Sequence, residues 1–152
     1  MDEYSLAADT IDIEITENSF YNEDKNSIEN INQLSEMGIR LLLDDFGTGY
    51  SSLSILHDLP FDIIKIDRSF MDINHPTKRM MIKTITHMAS DFNMEVIAEG
   101  VENQATLNYL HKLNCNYAQG SLFQQAVPIS ALDIEKNYKD TIPVPNIALL
   151  DN

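Results

Sequence analysis

The segment Ile39-Arg40-Leu41-Leu42-Leu43-Asp44-Asp45-Phe46-Gly47-Thr48-Gly49 passes from an apolar run to a pair of acids and then to two spaced glycines. Ile39 to Leu43 reads as a buried strand, and the acids with the glycines read as the loop that leaves its carboxyl end. The same grammar repeats on both sides. Upstream, Ile11-Asp12-Ile13-Glu14-Ile15-Thr16 alternates with period two and reads as a strand. Ile28, Ile31 and Leu34 then recur at helical spacing, and Gly38 closes that helix. Downstream, Ser51 to Leu56 reads as a short helix ended by Pro60, and Asp62 to Ile66 as a third strand. Met81, Ile85, Met88 and Phe92 mark one face of an amphipathic helix, with Met80, Met81 and Met88 expected in its core. Glu95 to Ala98 is a fourth strand. Leu107, Leu110 and Leu113 line another helix, and Tyr117 to Phe123 reads as a fifth strand. One further helical turn is expected beyond Pro128, followed by a tail marked by Pro143 and Pro145.

Alternating strands and helices imply a parallel sheet with helices packed on it, an α/β fold. Two architectures fit. One is an open, flavodoxin-like sheet. The other is part of a (β/α)₈ barrel, which as a whole takes about 250 residues. Periodicity does not choose between them.

Composition narrows the function. The chain has 152 residues with 43% apolar and 22% charged side chains, as a globular domain requires. Ten basic against 24 acidic residues give a net charge of −14. That excludes a DNA-coating role, because nothing would neutralise a run of phosphates. A phosphate-bearing ligand remains possible if metal ions bridge it to carboxylates. The single cysteine, Cys115, permits no internal disulfide and reads as a small core residue in a cytoplasmic protein. The opening residues lack a signal peptide's pattern, and the longest apolar runs fall far short of the roughly 20 residues that cross a bilayer.

Sites in parallel α/β folds form at the carboxyl ends of strands. Here Glu14 and Glu17 end the first strand, Asp44 and Asp45 the second, Lys65 and Asp67 the third, and Glu99 and Glu102 the fourth; Gln119 lies near the fifth. One acid at a strand end is ordinarily just solvated. Acids at four successive ends repel one another, and divalent cations resolve that cost. Oxygen donors without His or Cys favour Mg²⁺ or Mn²⁺ over zinc. Two such ions about 3.5–4 Å apart are the usual basis of phosphodiester hydrolysis. Asp44 and Asp45 would point to opposite faces of a regular strand, so both reach one site only if the strand ends there. His57, His75, His87 and His111 show no ligand spacing and read as surface or packing residues. Lys65 between Ile64 and Ile66 reads as a snorkelling or paired lysine. Gly47-Thr48-Gly49 lacks the third glycine of a dinucleotide fingerprint.

These motifs resemble those of the EAL domain family, the bacterial cyclic di-GMP phosphodiesterases. The loop Asp44-Asp45-Phe46-Gly47-Thr48-Gly49-Tyr50-Ser51-Ser52-Leu53 is similar to the family's signature loop. So are Leu59-Pro60 with Lys65-Ile66-Asp67, Ala98-Glu99-Gly100-Val101-Glu102, and Gln119-Gly120 with Leu122-Phe123. Glu14-Ile15-Thr16-Glu17 resembles the family's Glu-x-Thr-Glu strand, and the likeness covers roughly Ile11 to Pro128. The resemblance implies a modified (β/α)₈, TIM-like barrel that hydrolyses cyclic di-GMP to linear pGpG with two Mg²⁺ or Mn²⁺ ions. By position it implies Glu14, Asp44, Asp45 and Glu99 as metal ligands, with Asp44 bridging, and Lys65 and Glu99 as catalytic residues, Lys65 at the attacking water. Glu17 would brace the loop after Phe46, and Glu102 and Gln119 would support the site or touch substrate.

The Glu-Ala-Leu segment that names the family, with its metal-ligating Glu, and a later ligating Asn have no counterpart here. Gln124-Gln125-Ala126 stands where the family usually has Ser-Lys-Pro. The expectation is therefore a partial barrel of about five βα units: residues 1–10 a lead-in, 11–135 a truncated EAL domain, 136–152 a tail. Its hydrolysis would be weak or absent. Three functional readings follow. The first is a metal-dependent phosphodiesterase. The second is a non-catalytic EAL-like module for partner or nucleotide binding. The third is a receiver-like open sheet whose acid pair binds Mg²⁺, against which the glycine-rich loop and the Glu99-to-Glu102 strand end both count. Open sheet edges invite pairing with another chain. The expected state is a homo-oligomer or a complex with a partner chain. Size-exclusion chromatography with light scattering checks this, and a well-behaved monomer at high concentration would refute it.

Overall fold

The computed structural model describes residues 7–22, 25–48, 53–125 and 127–128. The expected turn beyond Pro128 and the tail lie outside them. Five strands form one sheet in the order β1-β2-β3-β4-β5, with β1 at Asp12–Thr16, β2 at Arg40–Phe46, β3 at Ile63–Ile66, β4 at Glu95–Ala98 and β5 at Tyr117–Ala118. Every neighbouring pair is parallel. Helices α1 (Lys25–Glu36), α2 (Leu53–Asp58), α3 (Pro76–Asp91) and α4 (Gln104–Lys112) fill the connections.

This order settles the choice of architecture. A flavodoxin-like or receiver-like sheet reverses its strand order and carries helices on both faces. Here the strands advance in sequence, and the helical core lies on one side. Leu41, Leu43, Ile64, Ile66, Val96 and Ala98 pack with Ile31 of α1, Leu56 of α2, Ile82, Ile85 and Ala89 of α3 and Leu110 of α4. That is a sector of a (β/α)₈ barrel. Side chains on the other face lie in tiers. Arg40 bridges Asp12 at 2.7 Å, and Tyr117 donates to Glu95 at 3.2 Å, both at the amino ends of the strands. Leu42 and Ile63, 3% and 2% exposed, form the middle tier. The carboxyl-end tier holds the site.

Three helices turn into the next strand by one device. Gly38 after α1, Asn93 after α3 and Asn114 after α4 all have positive φ. After α1, the Gly38 N–H bonds the Ser35 carbonyl and the Ile39 N–H bonds the Leu34 carbonyl, a Schellman closure. Asn93–Met94 and Asn114–Cys115 repeat the pattern. Glycine and asparagine are the residues that tolerate this conformation best.

Three expectations need correction. Strand β2 does not stop at Leu43. Strand β5 is far shorter than Tyr117–Phe123, because Gly120 packs against the Val101 backbone, where an added Cβ would lie 2.3 Å from its nitrogen and oxygen. The buried stripe of α3 is Ile82, Ile85, Thr86 and Ala89. Met81 and Met88 are only half-buried, Phe92 is 40% exposed, and Met80 at 61% is no core residue. The short helix runs Leu53–Asp58, and the expected start at Ser51 lies outside the described residues. The histidines and cysteine behave as read: His57, His75 and His87 are exposed, His111 is half-buried, and Cys115 is buried.

Gly120→Ala is expected to destabilise the fold more than Gly38→Ala. The latter meets only Ala8 Cβ at 3.6 Å and pays mainly the backbone cost of about 1–2 kcal/mol. Urea denaturation of both variants measures the order; equal losses would contradict it.

Candidate functional site

The tier at the carboxyl end of the sheet is organised around one amine. Lys65 sits mid-sheet on β3 and is 5% exposed. Its Nζ lies 2.8 Å from Glu14 Oε2 on β1, 3.1 Å from Asp44 Oδ1 on β2 and 2.8 Å from Glu99 Oε1 just past β4. Burial opposes the charge, but hydrogen bonds to Glu14, Glu99 and Asp44 outweigh it and hold the ammonium above its ordinary value. Lys65 is thus paired rather than snorkelling. Gln119 joins the group through Nε2, which donates to Glu99 Oε1 at 2.7 Å. The backbone fixes both residues: the Glu99 N–H bonds Ile66 O, and the Gln119 N–H bonds Ala98 O.

The acid pair enters by a route the sequence did not show. Strand β2 continues to Phe46, and its register against β3 slips between Leu43 and Phe46. Asp45 there takes φ +56°. In a regular strand Asp45 would point into the helical core and Phe46 toward the site. The bulge exchanges them, and Phe46 joins the core cluster. Asp44 Oδ1 accepts the Asp45 N–H at 3.0 Å, and the Asp45 carbonyl takes both the N–H and the hydroxyl of Thr48. Burial, then the charges of Asp44 and Asp67, push the Asp45 carboxyl above its ordinary range against the pull of Lys65.

Glu17 is buried at the start of the 3₁₀ segment Glu17–Asn22. Its Oε2 accepts the Gly47 N–H at 3.1 Å, while its buried Oε1 has no hydrogen-bond partner among the described residues. Glu102 does not join the cluster. It is exposed on the wall of a cavity of about 530 Å³, opposite Arg68 and Lys78. Asp67, in the Lys65-Ile66-Asp67 motif, stands just past the end of β3. Burial raises its carboxyl, but the Ser69 hydrogen bonds and Arg68 outweigh that and hold it below the ordinary range.

The donor set consists of carboxylate oxygens, which suit a hard divalent cation. Their arrangement does not. Among the described residues, no group of three or more acids, histidines or cysteines is placed to hold a metal ion. The carboxylates close on Lys65 instead.

Comparisons with known proteins agree with the fold. The EAL domain profile matches residues 1–126. The chain is 42% identical over 136 residues to the cyclic di-GMP phosphodiesterase NbdA of Pseudomonas aeruginosa, covering 88% of this chain but 17% of that protein. Among solved structures, the PaMucR phosphodiesterase in complex with c-di-GMP superposes with a TM-score of 0.78 at 35% identity, over 84% of this chain and 53% of that one. BlrP1 of Klebsiella pneumoniae, with manganese and cyclic di-GMP, gives 0.74 at 30% identity, over 81% of this chain and 32% of that one. The chain therefore spans about a sixth of the length of NbdA and about half of the PaMucR chain.

Asp45 holds its proton more tightly in the folded chain than its ordinary value allows. Its contribution to stability is thus present in acid and lost as pH rises through its folded value. Asp45→Asn is expected to stabilise the metal-free chain at pH 7, with the gain vanishing as pH falls below the ordinary carboxylate range. Thermal melts across pH 3 to 8 check this; a variant less stable at pH 7 would contradict it.

Proposed function

The chain belongs to the EAL domain family, and on that footing we propose that it is a cyclic di-GMP phosphodiesterase-type domain, truncated within residues 11–135 and weakly active or inactive on its own. One observation supports this above the others: Glu14 on β1, Asp44 on β2 and Glu99 just past β4 converge with Lys65 at one rim of the sheet. In this reading Glu14, Asp44, Asp45 and Glu99 face a pair of Mg²⁺ or Mn²⁺ ions, whose chemistry would be to generate hydroxide and neutralise the phosphodiester. Gln119 orients the Glu99 carboxylate. Lys65 is the one cation of the cluster among the described residues. Glu17 holds the loop after Phe46 through the Gly47 N–H. Glu102 faces substrate from the neighbouring cavity rather than from the cluster.

Among the described residues, no helix is long and apolar enough to cross a membrane, which accords with a cytoplasmic role. The outer strands β1 and β5 each pair on one side only among the described residues, which accords with a homo-oligomer or a partner chain along the free edges.

A second reading, a non-catalytic module that binds nucleotide or a protein partner, is favoured by a separate observation: the carboxylates are gathered on Lys65 and not around a metal-sized point. Incubation with cyclic di-GMP and Mn²⁺ decides. We expect turnover at least about 100-fold below that of a complete EAL domain, as loss of a site's charge-stabilising groups implies, and none in Asp44→Asn. Robust turnover by this chain alone would overturn the weak-activity claim. Activity that survives Asp44→Asn would overturn the site assignment.

A further inference from the structure

We propose that Lys65 is a built-in substitute cation: it holds the carboxylates of three strands together in the metal-free chain, and a divalent ion must break these ion pairs to bind. The inference rests on the reading of Glu14, Asp44 and Glu99 as metal-facing residues.

The stoichiometry of the ammonium carries the argument. A lysine ammonium has three N–H donors and no acceptor. Three carboxylates stand within ion-pair distance of Nζ, on β1, on β2 and just past β4. Its donors are thus fully matched, with none left for water or a phosphate oxygen. Three acids brought this close would otherwise repel, and among the described residues no other cation pairs with them. Arg40, the other cation on this face, is committed to Asp12 at the opposite end of the strands. Arg68 and Lys78 face the neighbouring cavity.

The competition follows from Coulomb's law. A divalent ion seated on any two of these carboxylates would place a like charge within a few ångströms of Nζ, where repulsion in a half-buried setting is strong. The carboxylates therefore have two exclusive partners, one internal and one from solution. This accounts for a donor set of the right chemistry that does not converge on a common metal-sized point. Lys65 is accordingly a positioning residue for the metal-free state, whatever it does during turnover. The exposed partner fixes where exchange starts. Glu14 is half exposed in its side chain, against about a fifth for Asp44 and Glu99, so Glu14 leaves first.

The test reads metal binding and folding, not hydrolysis. The chain, Lys65→Met and Lys65→Arg are stripped with chelator, melted with and without Mn²⁺, and titrated with Mn²⁺ by calorimetry. Lys65→Met is expected to melt below the parent without metal. It is expected to bind Mn²⁺ at least about tenfold more tightly, since a repelling charge is gone, and to gain a larger melting shift on metal addition. Lys65→Arg, which keeps the charge, is expected to retain the parent's weak Mn²⁺ affinity, and it carries the comparison if Lys65→Met does not fold. Mn²⁺ binding of equal strength in the parent and Lys65→Met overturns this inference alone, as does Lys65→Arg binding tenfold more tightly than the parent. No Mn²⁺ binding by any of the three overturns both this inference and the metal-facing reading.

Discussion

One buried ammonium sets the terms for the whole carboxyl end of this sheet. Lys65 is 5% exposed, and a lone charge at that depth would be costly. It persists because Glu14, Asp44 and Glu99 meet it at 2.8–3.1 Å. The converse also holds: those acids can converge because a cation already stands among them. Removing one partner leaves the others uncompensated, so the cluster holds together as a unit through its own electrostatics.

The sheet makes this cluster possible by having two chemically different faces. One face is an ordinary aliphatic core against the helices, with Leu41, Leu43, Ile64, Ile66 and Val96. The other is tiered, with the Arg40–Asp12 pair at the amino ends, Leu42 and Ile63 in the middle and the Lys65 cluster at the carboxyl ends. Strand alternation assigns each side chain to its face, so a shift of one residue would exchange core for site. At Asp45 the fold uses such a shift locally. The bulge sends Phe46 into the core and keeps both acids near the site, at the cost of a positive φ.

Much of this was legible in the sequence because it rests on period and order. The strands around Glu14, Asp44, Lys65 and Glu99 alternate or run apolar, and Gly38 marks the end of α1. Glu95–Ala98 is β4 to the residue. What escaped depended on contacts between distant segments. The bulge at Asp45 has no local signature, since nothing in Leu43-Asp44-Asp45-Phe46 states which residue is extra. The early end of β5 is set by the Val101 backbone lying against Gly120. The stripe of α3 is turned by one position because Met81 and Phe92 fit the period as well as Ile82 and Ala89 do, and only packing separates them. Glu102 shares a motif with Glu99, yet three residues further on it lines a neighbouring cavity.

The account turns on whether these oxygens exchange one cation for others. Crystals of the chain soaked in Mn²⁺ and measured at the manganese absorption edge test this directly. Anomalous peaks among Glu14, Asp44, Asp45 and Glu99, with Lys65 Nζ withdrawn beyond ion-pair distance from at least Glu14, are the predicted result. An empty anomalous map with Lys65 still seated on all three carboxylates at millimolar Mn²⁺ would contradict it.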